Sequence, residues 1–371
     1  MQRKRLVYLF LLLLGILITI PLFILPSLYI WRPAGQITAA EVIAPGTAPS
    51  LPNVPSPPTE CDPPTDPDEP PCHPGLARSA WPITHQGSYA QGSSARPGPR
   101  PDQSFLAQHL DLASVAISYN FTAPYADGGV AVWASLLTLD GVVVKLDHDA
   151  FTVIDSYNPQ LEETDPPDLP FSITGAYSLV DHENRFLVGR GRALEAYADS
   201  VPGDRYSAIA LVQRFTFPTD FFCDEDDTLV GLNLTYDGAL IVVTEKGSVG
   251  ALPRRPEAWR ADNLQSLSLH GADCAAEDAP VISNSIAVDE TGGIFIVTSR
   301  EMVRVQWDGD TLALAWRAAY PAGAGALSAL RLGPGSGSTP SLMGAGNDAD
   351  RFVVFTDGQE LMHLIFMWRD E

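Results

Sequence analysis

The strongest constraint in this sequence is a period. Residues 285–308 read SIAVDETGGIFIVTSREMVRVQWD, with two apolar runs flanking the polar knot DETGG and a third following SRE. Runs of this length, rich in Val, Ile and Phe and bounded by Asp, Gly and Ser, have the signature of β-strands. Equivalent central runs recur as VAVWAS (130–135), RFLVGR (185–190), ALIVVTE (239–245) and RFVVFTD (351–357). Aligned on them, Ala134, Gly189, Thr244, Thr298 and Thr356 fall in register at steps of about 55 residues. Each copy has a strand before a polar turn, this central strand, and a third strand after a second turn, as in GVVVKLD, ALEAYAD, SVGALPR, MVRVQWD and LMHLIFMWRD. Most copies continue into a fourth run, such as FTVIDSY (151–157), YSAIALVQRF (206–215) or TLALAWRAA (311–319).

Four antiparallel strands per copy at this period predict an all-β fold, a β-propeller of about five visible four-stranded blades. A β-sandwich is the alternative, but its strands have no reason to recur in groups of four. The fifth copy ends on its third strand. Either an N-terminal strand completes it and closes a five-bladed ring, or the chain is part of a longer propeller.

The blades occupy only part of the chain. Arg3, Lys4 and Arg5 precede LVYLFLLLLGILITIPLFILPSLYIW (6–31), a run without a charged residue. That is long enough to cross a hydrocarbon core, which needs about 20 apolar residues. The basic cluster before the run predicts a single-pass signal-anchor, with residues 1–5 cytoplasmic and the body exported. In a bacterial inner membrane that body is periplasmic or extracellular. A signal peptide cleaved near ITAA (37–40) is the rival reading, although its apolar part would be unusually long. Residues 32–80 are rich in Pro, Ala, Thr and Ser and read as an extended spacer. The propeller domain is expected over 81–371, entered through WPITHQGSYAQGSSARPGPRP (81–101). SFLAQHLDLA (104–113) is the best short helix candidate.

Acidic residues outnumber basic ones 45 to 23, for a net charge of −22. Such a body is repelled by nucleic acid and anionic lipid surfaces and attracts cations or basic protein partners. Exported chains can keep disulfides, and four cysteines allow three pairings. Cys61 and Cys72 bracket a short proline-rich segment and are natural local partners, which leaves Cys223 with Cys274. Cys72-His73 has no second Cys/His pair at zinc-site spacing.

In a propeller, the connections from a fourth strand to the next first strand share a face with the second-to-third turns. Here those connections are 158–170, 218–228, the stretch around 271–280, and LGPGSGSTP (332–340). Three carry acidic clusters: Glu162, Glu163, Asp165 and Asp168; Asp224 to Asp227; and Glu277 with Asp278. Calcium takes about six to eight oxygen ligands, so Asp224, Asp226, Asp227, Glu277 and Asp278 are the candidate cation ligands. Cys223 and Cys274 lie in neighbouring connections on this face, as a disulfide between them requires. LGPGSGSTP lacks the lysine and the strand-to-helix context of a phosphate loop. The triplets DHD (147–149) and DHE (181–183) fall on the opposite face and read as hydrated turns. No G-x-S-x-G or H-E-x-x-H motif is present. The acceptor patterns NFT (120–122) and NLT (233–235) sit in predicted strands.

VQWDGDTLALAW (305–316) resembles the tryptophan-docking repeat A-x-D-x-x-T-G-x-x-x-W of quinoprotein-like propellers. Asp308, Thr311 and Trp316 match, while Gln306 and Leu312 replace the Ala and the Gly. In the first copy LDHDAFTVID keeps only Asp147, with Asp155 where the Trp would stand. WPITHQGSYAQGSS is similar to the W-P entry segment of such propellers. The resemblance covers 81–371. It implies a central funnel that holds pyrroloquinoline quinone and calcium in the dehydrogenases of that family, and a scaffold role in the envelope for members without a cofactor. No adjacent-cysteine pair of the kind that covers the quinone in some alcohol dehydrogenases is present, and no quinone ligand is assignable by motif.

Two functions follow. One is a tethered binding or scaffold module without catalysis. The alternative is a quinone- or calcium-dependent oxidoreductase, or a calcium-dependent propeller hydrolase. Sequencing the mature N-terminus is expected to find residues 6–31 retained; a start near residue 41 means cleavage instead.

Overall fold

The computed structural model describes residues 71–93, 109–110, 112, 116–136, 141–159, 176–323, 335–346 and 348–370. The signal-anchor segment 6–31, most of the spacer, residues 160–170 of the connection 158–170 with its acidic cluster, and most of the helix candidate 104–113 lie outside them. Among the described residues no helix is long and apolar enough to cross a membrane.

The strands form five consecutive antiparallel sheets, a β-propeller-like fold. The first holds β1 (Ala116–Phe121), β2 (Ala131–Leu136), β3 (Val143–Asp147) and β4 (Thr152–Tyr157). The second holds β5 (Ser178–Val180), β6 (Phe186–Arg190), β7 (Ala193–Asp199) and β8 (Ile209–Thr216). Then come β9 (Leu229–Leu234), β10 (Ala239–Thr244), β11 (Ser248–Pro253) and β12 (Gln265–Ser268). The fourth sheet holds β13 (Ala287–Val288), β14 (Gly293–Val297), β15 (Glu301–Trp307) and β16 (Leu312–Ala319). The fifth has three strands, β17 (Ser341–Met343), β18 (Phe352–Thr356) and β19 (Leu364–Trp368). The central runs aligned by sequence are the second strands of all five. No described N-terminal segment adds a fourth strand to the fifth sheet.

Each sheet buries both faces where it has neighbours, so the strands read as apolar runs rather than clean alternations. Leu187, Leu194, Leu232 and Val242 share one core between the second and third sheets. Ile241, Val249, Ile294 and Val303 join the third to the fourth. Phe295 and Met302 pack with Leu342, Val353 and Phe355 of the fifth. Between the first two sheets, Trp133 stacks on Phe186 at 5.8 Å. Among the described residues no buried cluster joins the fifth sheet to the first, and Leu364, Phe366 and Trp368 of β19 stay exposed.

The first strands lie at the hub, where β1 meets β5, β5 meets β9, and β9 meets β13. Residues 71–92 run along that hub. Ala77 N donates to Val180 O (2.9 Å), Val180 N to Pro82 O (2.6 Å) and Thr84 N to Ser178 O (3.0 Å), which ties the segment to β5 and the residues beside it. Phe121 N of β1 donates to Trp81 O, Val288 N of β13 to Ser88 O, and Leu342 N of β17 to Tyr89 O. Asn233 of β9 reaches Ser88 O through its side-chain amide (3.1 Å). All five first strands are therefore bonded to one strap, which we call the axial segment. The expected domain boundary at residue 81 falls inside it: His73, Leu76 and Ala77 are already buried. The sequence boundary misses these residues because main-chain bonding leaves no apolar period.

Ile83 is 2% exposed and bridges Leu179 of β5. Ile83→Ala is expected to cost about 2–5 kcal/mol, the usual range for such a truncation in a packed core. It should lower the urea midpoint with an unchanged slope; an unmoved midpoint would show that the segment is a loose linker.

Candidate functional site

The sequence places the candidate cation ligands in the acidic connections. Cys223 and Cys274 are disulfide-bonded across neighbouring connections, closing a loop with a sequence separation of 51. Cys72 is disulfide-bonded too, and its expected partner Cys61 lies outside the described residues. Asp227 is fully buried and accepts hydrogen bonds from Cys223 N (3.0 Å) and Lys246 N (2.9 Å). Asp224 receives the Lys246 ammonium (2.5 Å) and Asp226 N (3.1 Å). The Lys246 ammonium beside it holds its carboxyl below the usual carboxylate range. Asp278 faces Arg300 at 3.5 Å, while Asp226 and Glu277 are exposed.

These five carboxylates do not converge. Among the described residues, no group of three or more His, Cys, Asp or Glu is placed to hold a metal ion. The structure thus does not gather Asp224, Asp226, Asp227, Glu277 and Asp278, the candidate cation ligands of the sequence, into one such group. Lysine, arginine and backbone N–H groups already stand where a cation would, because these loops pair with the adjacent second-to-third turns.

On the opposite face the Asp residues shape turns. Asp147 Oδ1 accepts from Asp149 N (3.0 Å) and Ala150 N (2.7 Å), and Asp181 Oδ1 from Glu183 N (2.9 Å) and Arg185 N (3.0 Å). In DETGG, Asp289 Oδ1 takes Thr291 N (3.0 Å) and Gly293 N (2.8 Å). Side-chain acceptance of N–H groups two to four residues on is the ordinary turn use of Asp. Both asparagines of the acceptor patterns are buried, Asn120 at 0% and Asn233 at 1%, so neither is open to modification in the fold.

The axial segment carries a feature of a different kind. A cavity of about 180 Å³ lies within it, and its lining includes His73, Leu76, Arg78, Pro82, Gln86 and Ser88. His73 is part of its frame. Gly75 N donates to Nδ1 (3.0 Å), which fixes the tautomer, so Nε2–H donates to Leu234 O (3.0 Å). Burial lowers the His73 pKa to about 4, with the charges of Arg254 and Arg78 adding and the Leu234 bond opposing. Both ring nitrogens are engaged, so His73 holds the strap to β9 and is unsuited to acid–base work. Ser88 donates to Tyr236 Oη (3.1 Å) and Ser79 to Phe121 O (2.7 Å). Gln86 Oε1 is buried without a partner, and the Arg78 guanidinium lies against the Cys72 sulfur with no carboxylate at ion-pair distance among the described residues. Sequence reasoning passes over these residues. The available signal is a polar, charged-and-amide set (His73, Arg78, Gln86) inside a stretch too poor in period to be a strand.

No family model matches the chain. An uncharacterized protein of Archaeoglobus fulgidus is 38% identical over 303 residues, covering 82% of this chain and 54% of that protein. The chain thus spans about half the length of the curated relative it matches. Among solved structures, Saccharomyces cerevisiae Sqt1 aligns with a TM-score of 0.47 at 11% identity, over 72% of this chain and 65% of that one. A putative 6-phosphogluconolactonase from Bacteroides uniformis aligns at 0.38 and 9%, over 67% and 72%.

The His73 geometry fixes a pH dependence. Its folded pKa of about 4 lies below the ordinary 6.5, so the unfolded chain binds the proton first as pH falls. Stability present above pH 6.5 should be lost progressively toward pH 4, by on the order of 3 kcal/mol for the whole shift. Urea midpoints at pH 7 and pH 5 should fall further apart in the native protein than in His73→Gln; an equal fall would remove His73 as the cause.

Proposed function

We propose that this protein is an exported β-propeller, tethered to a membrane by residues 6–31, that works as a binding or scaffold module without catalysis of its own. The observation that carries the reading is the Cys223–Cys274 disulfide, a covalent feature that persists in oxidising compartments outside the cytosol. An uncharged run of 26 residues behind Arg3, Lys4 and Arg5 supplies the matching anchor. The described residues begin at Pro71, on the axial segment, to which the tether is joined in sequence. The His–carboxylate pairs and acidic loops that would be candidates for catalysis serve as turns and ion pairs, which supports binding over chemistry.

A member of the quinoprotein-like family that carries a quinone would hold it on the axis with calcium beside it. The residues here do not fit that group. The hub is crossed by residues 71–92, bonded to all five first strands, and no described carboxylate cluster is placed for calcium.

Fractionation tests the proposal. The full chain is expected in the membrane pellet after a carbonate wash, with its body open to protease added from outside the cytoplasm. A chain lacking residues 6–31 should lose the pellet association. Recovery of the full chain in the cytosolic fraction with all four cysteines reduced would overturn the reading.

A further inference from the structure

We propose that the disulfide at Cys72 is a redox site, opened by dithiol reductants with Cys72 as the departing thiolate, while the Cys223–Cys274 bond stays closed. The chemistry does not depend on the tethering reading; only its consequence for the tether does.

The four cysteines identify the bond. Cys72 is disulfide-bonded, and Cys223 and Cys274 are bonded to each other, so Cys61 is left as its partner. Cys72 is half-buried and shares the wall of the axial cavity with Arg78. The Arg78 guanidinium lies against the Cys72 sulfur through Nη1. A second cation, Arg254, acts at the same place, since both arginines depress the basicity of the adjacent His73.

Those charges give the bond a direction. A cation beside a sulfur favours the thiolate over the thiol and makes that sulfur the better leaving group in exchange. Cys61 stands between Glu60 and Asp62, and neighbouring carboxylates disfavour a thiolate. One sulfur of the dithiol therefore attacks Cys61 as its thiolate, and the S–S electron pair leaves on Cys72. The second sulfur of the reductant then loses its proton and attacks the mixed disulfide. The reductant closes to a cyclic disulfide and Cys61 is released as a thiol. Two electrons pass to the protein, Cys72 remains a thiolate beside Arg78, and one proton goes to solvent.

The other disulfide has opposite surroundings. Cys223 precedes the acidic run Asp224–Asp227, and its N–H is held by the buried Asp227 carboxylate (3.0 Å). Cys274 follows Asp273, and the nearby Lys246 ammonium is engaged by Asp224. Neither sulfur is offered a stabilised thiolate.

In the tethering reading the Cys72 bond also sets reach. It takes residues 62–71 out of the path from membrane to propeller, a stretch that spans up to about 30 Å when extended. Reduction returns that length to the tether.

Timed alkylation of the detergent-solubilised full chain in dithiothreitol, read from the masses of the cysteine peptides, provides the test. Cys61 and Cys72 should open about ten-fold faster than Cys223 and Cys274, or more. Arg78→Met should slow that opening by about three- to ten-fold, leave Cys223–Cys274 unchanged, and be largely rescued by Arg78→Lys. A second readout concerns the thiolate itself. In Cys61→Ser, the ultraviolet absorbance of the Cys72 thiolate should titrate below the ordinary thiol pKa of about 8.5, and move up when Arg78→Met is added. The proposal is overturned if both disulfides open together, if Arg78→Met leaves the Cys72 bond as labile as before, or if Cys72 titrates at or above the ordinary value. Cytosolic recovery in the fractionation experiment would remove the consequence for reach and leave these rates and titrations as they are, so the two readings fail separately.

Discussion

Everything in this fold depends on where the inner edges of five sheets find hydrogen-bond partners. Stacking sheets face to face buries their apolar surfaces and brings the first strands together at a hub. There each first strand presents an unpaired row of N–H and C=O groups, and a buried main-chain group without a partner costs about as much as a lost hydrogen bond. The axial segment answers that requirement. Its carbonyls at Trp81, Pro82, Ser88 and Tyr89 accept from Phe121, Val180, Val288 and Leu342, one from each of four sheets. The fifth partner, β9, is reached through His73 and Asn233. The strap is therefore part of the fold rather than a leader into it. Its strained turn at His85 and Gln86 follows from satisfying several sheets within a few residues.

The outer strands are joined by a different device. Trp316 lies on β16, and its indole N–H donates to Arg369 O (2.9 Å) while its ring meets Phe295 edge-on at 6.3 Å, which ties the fourth sheet to the fifth. In the first sheet Asp155 stands at the equivalent place, and its carboxylate accepts from Ile209 N of β8 (2.7 Å). One position thus docks a sheet onto its successor through an indole in one copy and a carboxylate in another. The substitution removes the sequence match and keeps the mechanical role. Closer to the hub, the buried Lys145 ammonium reaches Asp199 (2.8 Å) and Ser207 O (2.6 Å), adding a polar tie between the first two sheets. Such a pair contributes little net stability once desolvation is counted, whereas removing one partner leaves a buried charge uncompensated.

The sheets are legible in the sequence because their signal is local. Ala134, Gly189, Thr244, Thr298 and Thr356 stand in register and each falls on or beside a second strand, since both faces of those strands are apolar and the turns are rich in Asp and Gly. Asp289 in DETGG is readable as a turn residue for the same reason, its contacts being two to four residues away. The pairing of Cys223 with Cys274 follows from the order of connections in a propeller. The partners of the acidic loops are not legible. Asp224 is matched by Lys246 and Asp278 by Arg300, each 22 residues away, and nothing in a run of acids announces a cation from the next turn. The axial segment is hidden more deeply. It is held through its own carbonyls, which every residue has, so its composition reads as spacer up to residue 80 and as transition beyond.

That difference moves the search for function from the rim to the axis. A cluster of carboxylates on a surface attracts attention because its charge is conspicuous, yet charge that is paired and hydrogen-bonded has little left to offer a ligand. The cavity within the axial segment is lined by residues of the strap itself, among them His73, Leu76, Arg78 and Gln86. That lining belongs to the strap that is bonded to the first strands of all five sheets. A site placed there is coupled to the stability of the whole propeller, so any ligand that fits it should raise the cooperative unfolding temperature of the entire domain rather than of one sheet.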